Sequence, residues 1–216
     1  MCIRDRGAVE PDSELNKILE SESLTGMVWS TMDTAEQATG ALGLANLEQG
    51  TPMRTSTKVQ VGSITKVVLA MGVLRLITEN QLSLDAEVEA ILPQLNWQNP
   101  WRGESPILVR HLLEHTAGLD NIRLWQFLSA EVTPDTPLQQ AFPVEHESLL
   151  QIRSRPGRQY SYSNMGYALL GMVIEAITGE RYEDYLAQAI LKPLEMFDSS
   201  FHFIHQSDDE LSLIHI

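Results

Sequence analysis

The sequence predicts an α/β (α+β) protein, with an antiparallel sheet flanked by helices and a mostly helical domain. Three observations predict it. Two β-leaning runs, Gly26–Met32 and Thr39–Gly50, lie near the N-terminus with a polar stretch, Asp33–Ala38, between them. A nearly all-apolar segment of helical length runs from Ser63 to about Glu79. Two later segments, Asn164–Thr178 and Tyr182–Ile190, carry helical patterning with clear stops at Gly179 and Pro193.

Each element has a local reason. "GMVWSTM" and "TGALGLANLEQG" read as the strands of a hairpin. The alternation of small and large residues at Gly43, Leu44 and Ala45 suits a strand closely covered on one face. The Ser63–Glu79 segment is apolar nearly all round, which predicts burial between layers. "NQLSLDAEVEAILPQL" offers Ser83 and Asp85 as caps and Pro93 as a stop. "PILVRHLLEHTAGL" predicts a short helix ended by Gly118. From Asp120 to about Gly157, four prolines predict loops with short helices. Tyr182, Tyr185, Leu186, Ala189 and Ile190 fall on one helical face. Trp97 and Trp101 read as packing or as the wall of a cleft.

Composition narrows the function. The chain has 216 residues, 43% of them hydrophobic and 20% charged, which is enough to bury a core. A net charge of -14 repels nucleic acid and anionic membranes, so neither is expected as a partner. The longest apolar run, Val67–Ile77, is interrupted by Gly72 and Arg75 and is too short to span a bilayer. A single cysteine, Cys2, rules out an intrachain disulfide but leaves periplasmic, secreted and cytoplasmic locations open.

The two ends are expected not to belong to the native protein. "MCIRDR" (residues 1–6) and "LSLIHI" (residues 211–216) match no cap, strand or targeting pattern. Both match translations, on opposite strands, of the transposase end sequence used to fragment sequencing libraries, and we read them as adaptor read-through. Residues 7–62 then form the N-terminal part of the α/β domain, and residues 63–205 the catalytic helix with the mostly helical domain. Native coding sequence running through both ends would overturn this reading.

The chemistry centres on "VGSITK". Ser63 and Lys66 are three apart, so on a helix their side chains are neighbours. Ser63 would sit in a first turn, where backbone N–H groups are unpaired and the helix dipole is positive. Lys66 could hydrogen-bond the hydroxyl and accept its proton, and the N–H of Ser63 could help hold an oxyanion. The plain alternative is a capping serine with a lysine reaching solvent. Farther on, Tyr162 and Asn164 are two apart in "QYSYSNMGYALLG", so both point the same way from an extended segment. A tyrosine beside an ammonium can act as a base or proton relay. An asparagine can donate to a substrate carbonyl or hold Lys66.

"VGSITK", "HLLEHTAGL", "PGRQYSYSNMGYALLG" and "ITGERYEDYLAQAILKPLEM" occur in this order. Together they resemble the serine β-lactamase-like superfamily of penicillin-recognising enzymes, in particular its class C β-lactamase, penicillin-binding protein, D-aminopeptidase and esterase branches. The resemblance spans roughly Thr25 to Phe201. It implies a β-lactamase/transpeptidase-like fold with the site between sheet and helical domain. It also implies an acyl-enzyme on Ser63, assisted by Lys66, with Tyr162 and Asn164 as the second motif and no cofactor. The family's third motif, on a late strand, has no counterpart after Phe201. The 216-residue chain alone is therefore expected to be inactive and poorly stable, which strong labelling by a fluorescent penicillin or fluorophosphonate would contradict. β-Lactams, D-amino-acid peptides and small esters all stay open as substrates. So does a non-hydrolytic penicillin sensor that acylates without release.

"HLLEH" also matches an inverted zinc-peptidase motif, with His111 and His115 as ligands and Glu114 as general base. Truncation of that helix by Gly118, and the family block containing the same residues, weigh against it. His146, His202 and His205 fall in polar or terminal stretches, where surface placement is expected.

Overall fold

A computed structural model describes residues 11–32, 37–122, 136–143, 147–201 and 211–212. Cys2, His146, His202 and His205 lie outside the described residues. Those described fall into two compact units, one within Met1–Gly62 and Ile204–Ile216, the other Ser63–Phe203.

The first unit begins with helix α1 (Pro11–Ser21), which has Asp12 and Glu14 in its first turn, where acidic groups complement the helix dipole. Strands β1 (Gly26–Met32) and β2 (Gln37–Asn46) pair antiparallel from Gly26↔Gly43 to Met32↔Gln37, the hairpin that the sequence predicts. Trp29 stands opposite Gly40, and a Cβ added at Gly40 would meet the indole ring 2.5 Å away. Only glycine allows the ring to lie on the neighbouring strand. The indole N–H also donates to Asp12 Oδ1 at 2.9 Å, tying β1 to α1. Beyond this cover, β2 is half-buried or exposed. Strand β3 (Thr51–Pro52) adds to β2. Strand β4 (Lys58–Val59) pairs parallel with β5 (Leu211–Ser212). Met53 is the one buried apolar side chain among this unit's described residues.

The second unit has an extensive core. Helix α2 (Thr65–Thr78) follows a 3₁₀ turn, Gly62–Ile64. After it come α3 (Val88–Ile91), α4 (Val109–Leu113), α5 (Asn164–Thr178) and α6 (Tyr182–Leu186), the last running on as a π-helical turn over Ala187–Leu191. Helix α5 is central: Met165, Leu169, Leu170, Met172, Val173 and Ile174 are all buried. It packs against Val73 and Leu76 of α2, Val109 and Leu112 of α4, and Leu186 of α6. Each such side chain contributes about 1.5–3 kcal/mol by leaving water. The glycine stop is confirmed, since Gly179 caps α5 in the left-handed region at φ 74°. At Gly72, α2 approaches α6 so closely that a Cβ would collide with Leu186 Cδ2.

Several expectations need correction. The α2 helix proper begins at Thr65, because the chain enters through the 3₁₀ turn. It is not buried all round: Leu69, Gly72, Val73 and Leu76 are buried on one face, while Val67 and Leu74 are exposed. Residues 80–95 form only the single helical turn α3. The short helix α4 ends at Leu113, five residues before Gly118, because His115 adopts a left-handed conformation at φ 57°. Of the two readings of Trp97 and Trp101, packing is the one observed: both lie against the core, and Trp97 Nε1 donates to the Leu92 carbonyl at 2.9 Å. Buried Glu89 of α3 accepts a bond from Asn99 Nδ2 at 3.2 Å, with Arg102 Nε 3.9 Å from its other oxygen.

Candidate active site

The 3₁₀ turn brings the first two candidates together. Ser63 lies in that turn and Lys66 in the first turn of α2, so the two are three apart on a helical path, where side chains are neighbours. Lys66 Nζ donates to Ser63 Oγ at 3.1 Å. Ser63 precedes α2, in the region where helix N–H groups lack intrahelical acceptors. Gly62 enters the turn at φ 50°, a conformation that glycine takes without strain.

The third candidate comes from the extended segment before α5. Tyr162 OH lies 2.8 Å from Ser63 Oγ. Lys66 Nζ also sits 5.1 Å from the centre of the Tyr162 ring and 5.8 Å from that of Tyr167. Ser63, Lys66 and Tyr162 thus form one hydrogen-bonded cluster. An ammonium has donors only. Once Ser63 Oγ accepts from Lys66, its own proton is free to point at the phenol oxygen.

Tyr162 is held on both sides. Ser163 is the N-cap of α5: its Oγ accepts from Gly166 N at 3.1 Å and donates to the Asp120 carbonyl at 2.7 Å. Asn164 is the first helical residue of α5. Asn164 is held by Asn121, whose Oδ1 accepts from the Asn164 backbone at 3.0 Å and from its Nδ2 at 3.1 Å. Asn164 therefore stands beside the cluster, tied to the Asp120–Asn121 turn. Sequence reasoning missed Asn121, and its only signal was membership of a polar turn directly after the "HTAGL" block.

His115, which the sequence offers as a metal ligand or as part of a family block, is packed among three tyrosines. Its ring centroid lies 4.6 Å from Tyr162, 5.0 Å from Tyr167 and 5.8 Å from Tyr160. It does not share a helical face with His111, since α4 has already ended. The Nδ1 atoms of His111 and His115 accept backbone N–H groups of Leu108, at 3.2 Å, and Ser163, at 3.1 Å. Among the described residues, no group of three or more His, Cys, Asp or Glu side chains comes together in a way that could hold a metal ion.

The electrostatics follow from these contacts. The Lys66 ammonium first, and then the Ser63 hydroxyl, hold the Tyr162 phenol below its usual range by favouring the phenolate. Burial pushes the Tyr167 phenol up, and its OH donates to the Leu113 carbonyl at 3.2 Å. Burial, and then the charge of Lys66, lower the His115 imidazole and favour its neutral form.

Known proteins share the family and the fold of this chain. The Beta-lactamase family model matches residues 11–203, and the chain belongs to that family. Esterase EstB of Burkholderia gladioli is 32% identical over 171 residues, which cover 74% of this chain and 43% of the esterase. Among solved structures, the octameric penicillin-binding protein homologue from Pyrococcus abyssi superposes with a TM-score of 0.72 at 28% identity, over 86% of this chain and 42% of that one. The D-amino acid amidase from Ochrobactrum anthropi gives a TM-score of 0.68 at 25% identity, over 86% and 51%. The matched stretch spans from 31% to 43% of the length of the curated relatives. Among the described residues, no helix is long and apolar enough to cross a membrane.

Proposed function

We propose that this chain carries the nucleophilic centre of a serine hydrolase acting on amide or ester carbonyls. Ser63 Oγ attacks the carbonyl carbon, and Tyr162 takes the hydroxyl proton. Lys66, as an ammonium, stabilises the phenolate and orients the serine. Asn164, fixed by Asn121, positions the substrate. The bond to the leaving group breaks as the leaving group takes up a proton, giving an acyl-enzyme on Ser63. Water then releases the acid and restores the hydroxyl. The observation that carries this reading is that Ser63 Oγ accepts from Lys66 Nζ at 3.1 Å and lies 2.8 Å from the Tyr162 hydroxyl oxygen. An esterase, a penicillin-binding protein homologue and an amidase among the similar proteins support the same three substrate classes.

The test uses the product of the intact gene. Incubation with a p-nitrophenyl ester, a chromogenic β-lactam and a D-amino acid amide is expected to give turnover with at least one. Quenched samples should show the acyl mass on the peptide containing Ser63, and Ser63→Ala should abolish both signals. A labelling burst without turnover assigns the non-hydrolytic sensor instead. Full turnover by Ser63→Ala rejects the mechanism.

A further inference from the structure

Two hydrogen bonds to one residue flank Tyr162. The N–H of Ser161 donates to the His115 carbonyl at 2.8 Å, and the N–H of Ser163 donates to His115 Nδ1 at 3.1 Å. The imidazole also lies against the Tyr162 ring, with an interplanar angle of 34°. His115 thus meets the residues before and after the tyrosine, and the tyrosine itself. We propose that His115 is a positioning residue for Tyr162, holding the phenol at Ser63 only while its own ring is neutral. This rests on the proposed role of Tyr162 as proton acceptor.

The left-handed backbone at His115 supports the proposal. A non-glycine residue at φ 57° is uncommon, and such conformations concentrate where surrounding structure imposes them. Here it lets the carbonyl and the side chain of one residue reach the same segment.

The dependence on charge follows from hydrogen-bond chemistry. A backbone N–H can only donate, so Nδ1 must present its lone pair, and the ring proton sits on Nε2. Protonation places a second proton on Nδ1, facing the Ser163 N–H, and that bond is lost. Ser163 is also the buried cap of α5, so the disturbance reaches both the phenol and the helix start. The groups facing the imidazole are Tyr160, Tyr162, Tyr167 and the Lys66 ammonium. Burial and the positive charge of Lys66 both oppose protonation.

The experiment compares wild type, His115→Asn and His115→Phe in the product of the intact gene, with Ser63→Ala as control. Asparagine tolerates the left-handed conformation, offers an acceptor oxygen near the place of Nδ1, and does not titrate. Below the phenol ionisation, the wild-type kcat/KM profile is expected to steepen again as the imidazole protonates. H115N should keep most of kcat and lose that second step. H115F should lose about tenfold to a hundredfold in kcat, with KM little changed. Wild-type kcat and pH profile in H115F, or an unchanged second step in H115N, would overturn the proposal. If H115F fails to fold by circular dichroism, nitrogen-15 shifts of His115 decide. Neutral His115 with its proton on Nδ1 overturns the proposal, and with its proton on Nε2 supports it. Turnover that survives in Ser63→Ala refutes the hydrolase reading alone. The nitrogen-15 shifts, with carbon-13 titration of the Tyr162 phenol in H115N, then still test His115.

Discussion

Ser63 and Tyr162, 99 residues apart in the chain, place their oxygens 2.8 Å from each other. Each oxygen is brought there by a helix start: Ser63 by the turn that opens α2, Tyr162 by the strand-like lead into α5. Because α2 and α5 pack together in one core, that core sets the distance between the two segments that carry them.

Replacing Tyr162 tests the proton acceptor. Tyr162→Phe keeps the ring and its contact with His115 but removes the phenol. Its kcat/KM is expected to fall about 10²–10⁴-fold, the usual contribution of a positioned acid or base. The active form in wild type is the phenolate, so activity should rise as pH rises through the phenol's ionisation. That rise should fall below the ordinary tyrosine value of 10.0. A wild-type profile in Tyr162→Phe would remove the tyrosine from the mechanism.

Ser163→Ala should lower stability by about 1–2 kcal/mol through loss of the α5 cap. Urea titration checks this. Because Ser163 adjoins both Tyr162 and Asn164, kcat should also drop, a loss that an ordinary surface cap would not produce.

Glu175 provides a pH prediction of opposite sign to the usual carboxylate. Burial, the largest influence, pushes its carboxyl above the ordinary value, against a bond donated by the Tyr182 N–H to Oε1 at 3.3 Å. A carboxyl raised on folding contributes stability that is complete below the ordinary value of 4.5 and is lost as pH rises through the folded value. Glu175→Gln keeps the acceptor oxygen and cannot ionise. Its melting temperature should therefore exceed that of wild type at pH 7, with the gap closing towards pH 4. A lower melting temperature at pH 7 would contradict this.

Gly72→Ala should destabilise by about 1–3 kcal/mol through overpacking against Leu186. Leu186→Ala alone should cost about 2–5 kcal/mol, since Leu186 is fully buried. The double variant should be more stable than the sum of the two, because the new methyl fills the space that leucine vacates. Strict additivity would show that the helices separate instead.

Short-range patterns made much of this legible. The spacing of Ser63 and Lys66 implies their contact on any helical turn, and Gly179 marks the end of α5 as its backbone freedom requires. The partnership of His115 with Tyr162 has no such period. It depends on α4 ending at Leu113 and on a left-handed residue that no glycine or asparagine announces. Asn121 is equally silent, since its bonds to Asn164 cross 43 positions. The exposed face of α2 was misread because apolar residues all round a helix show what can be buried, not which side is.

The Trp29 indole, seated over Gly40, has a practical consequence. Its unit has a single buried apolar side chain among its described residues, so closure of the hairpin owes much to this one stack. With every other tryptophan replaced by phenylalanine, the emission of Trp29 would become an optical gauge of the N-terminal hairpin. It could be followed during unfolding while circular dichroism tracks the helices.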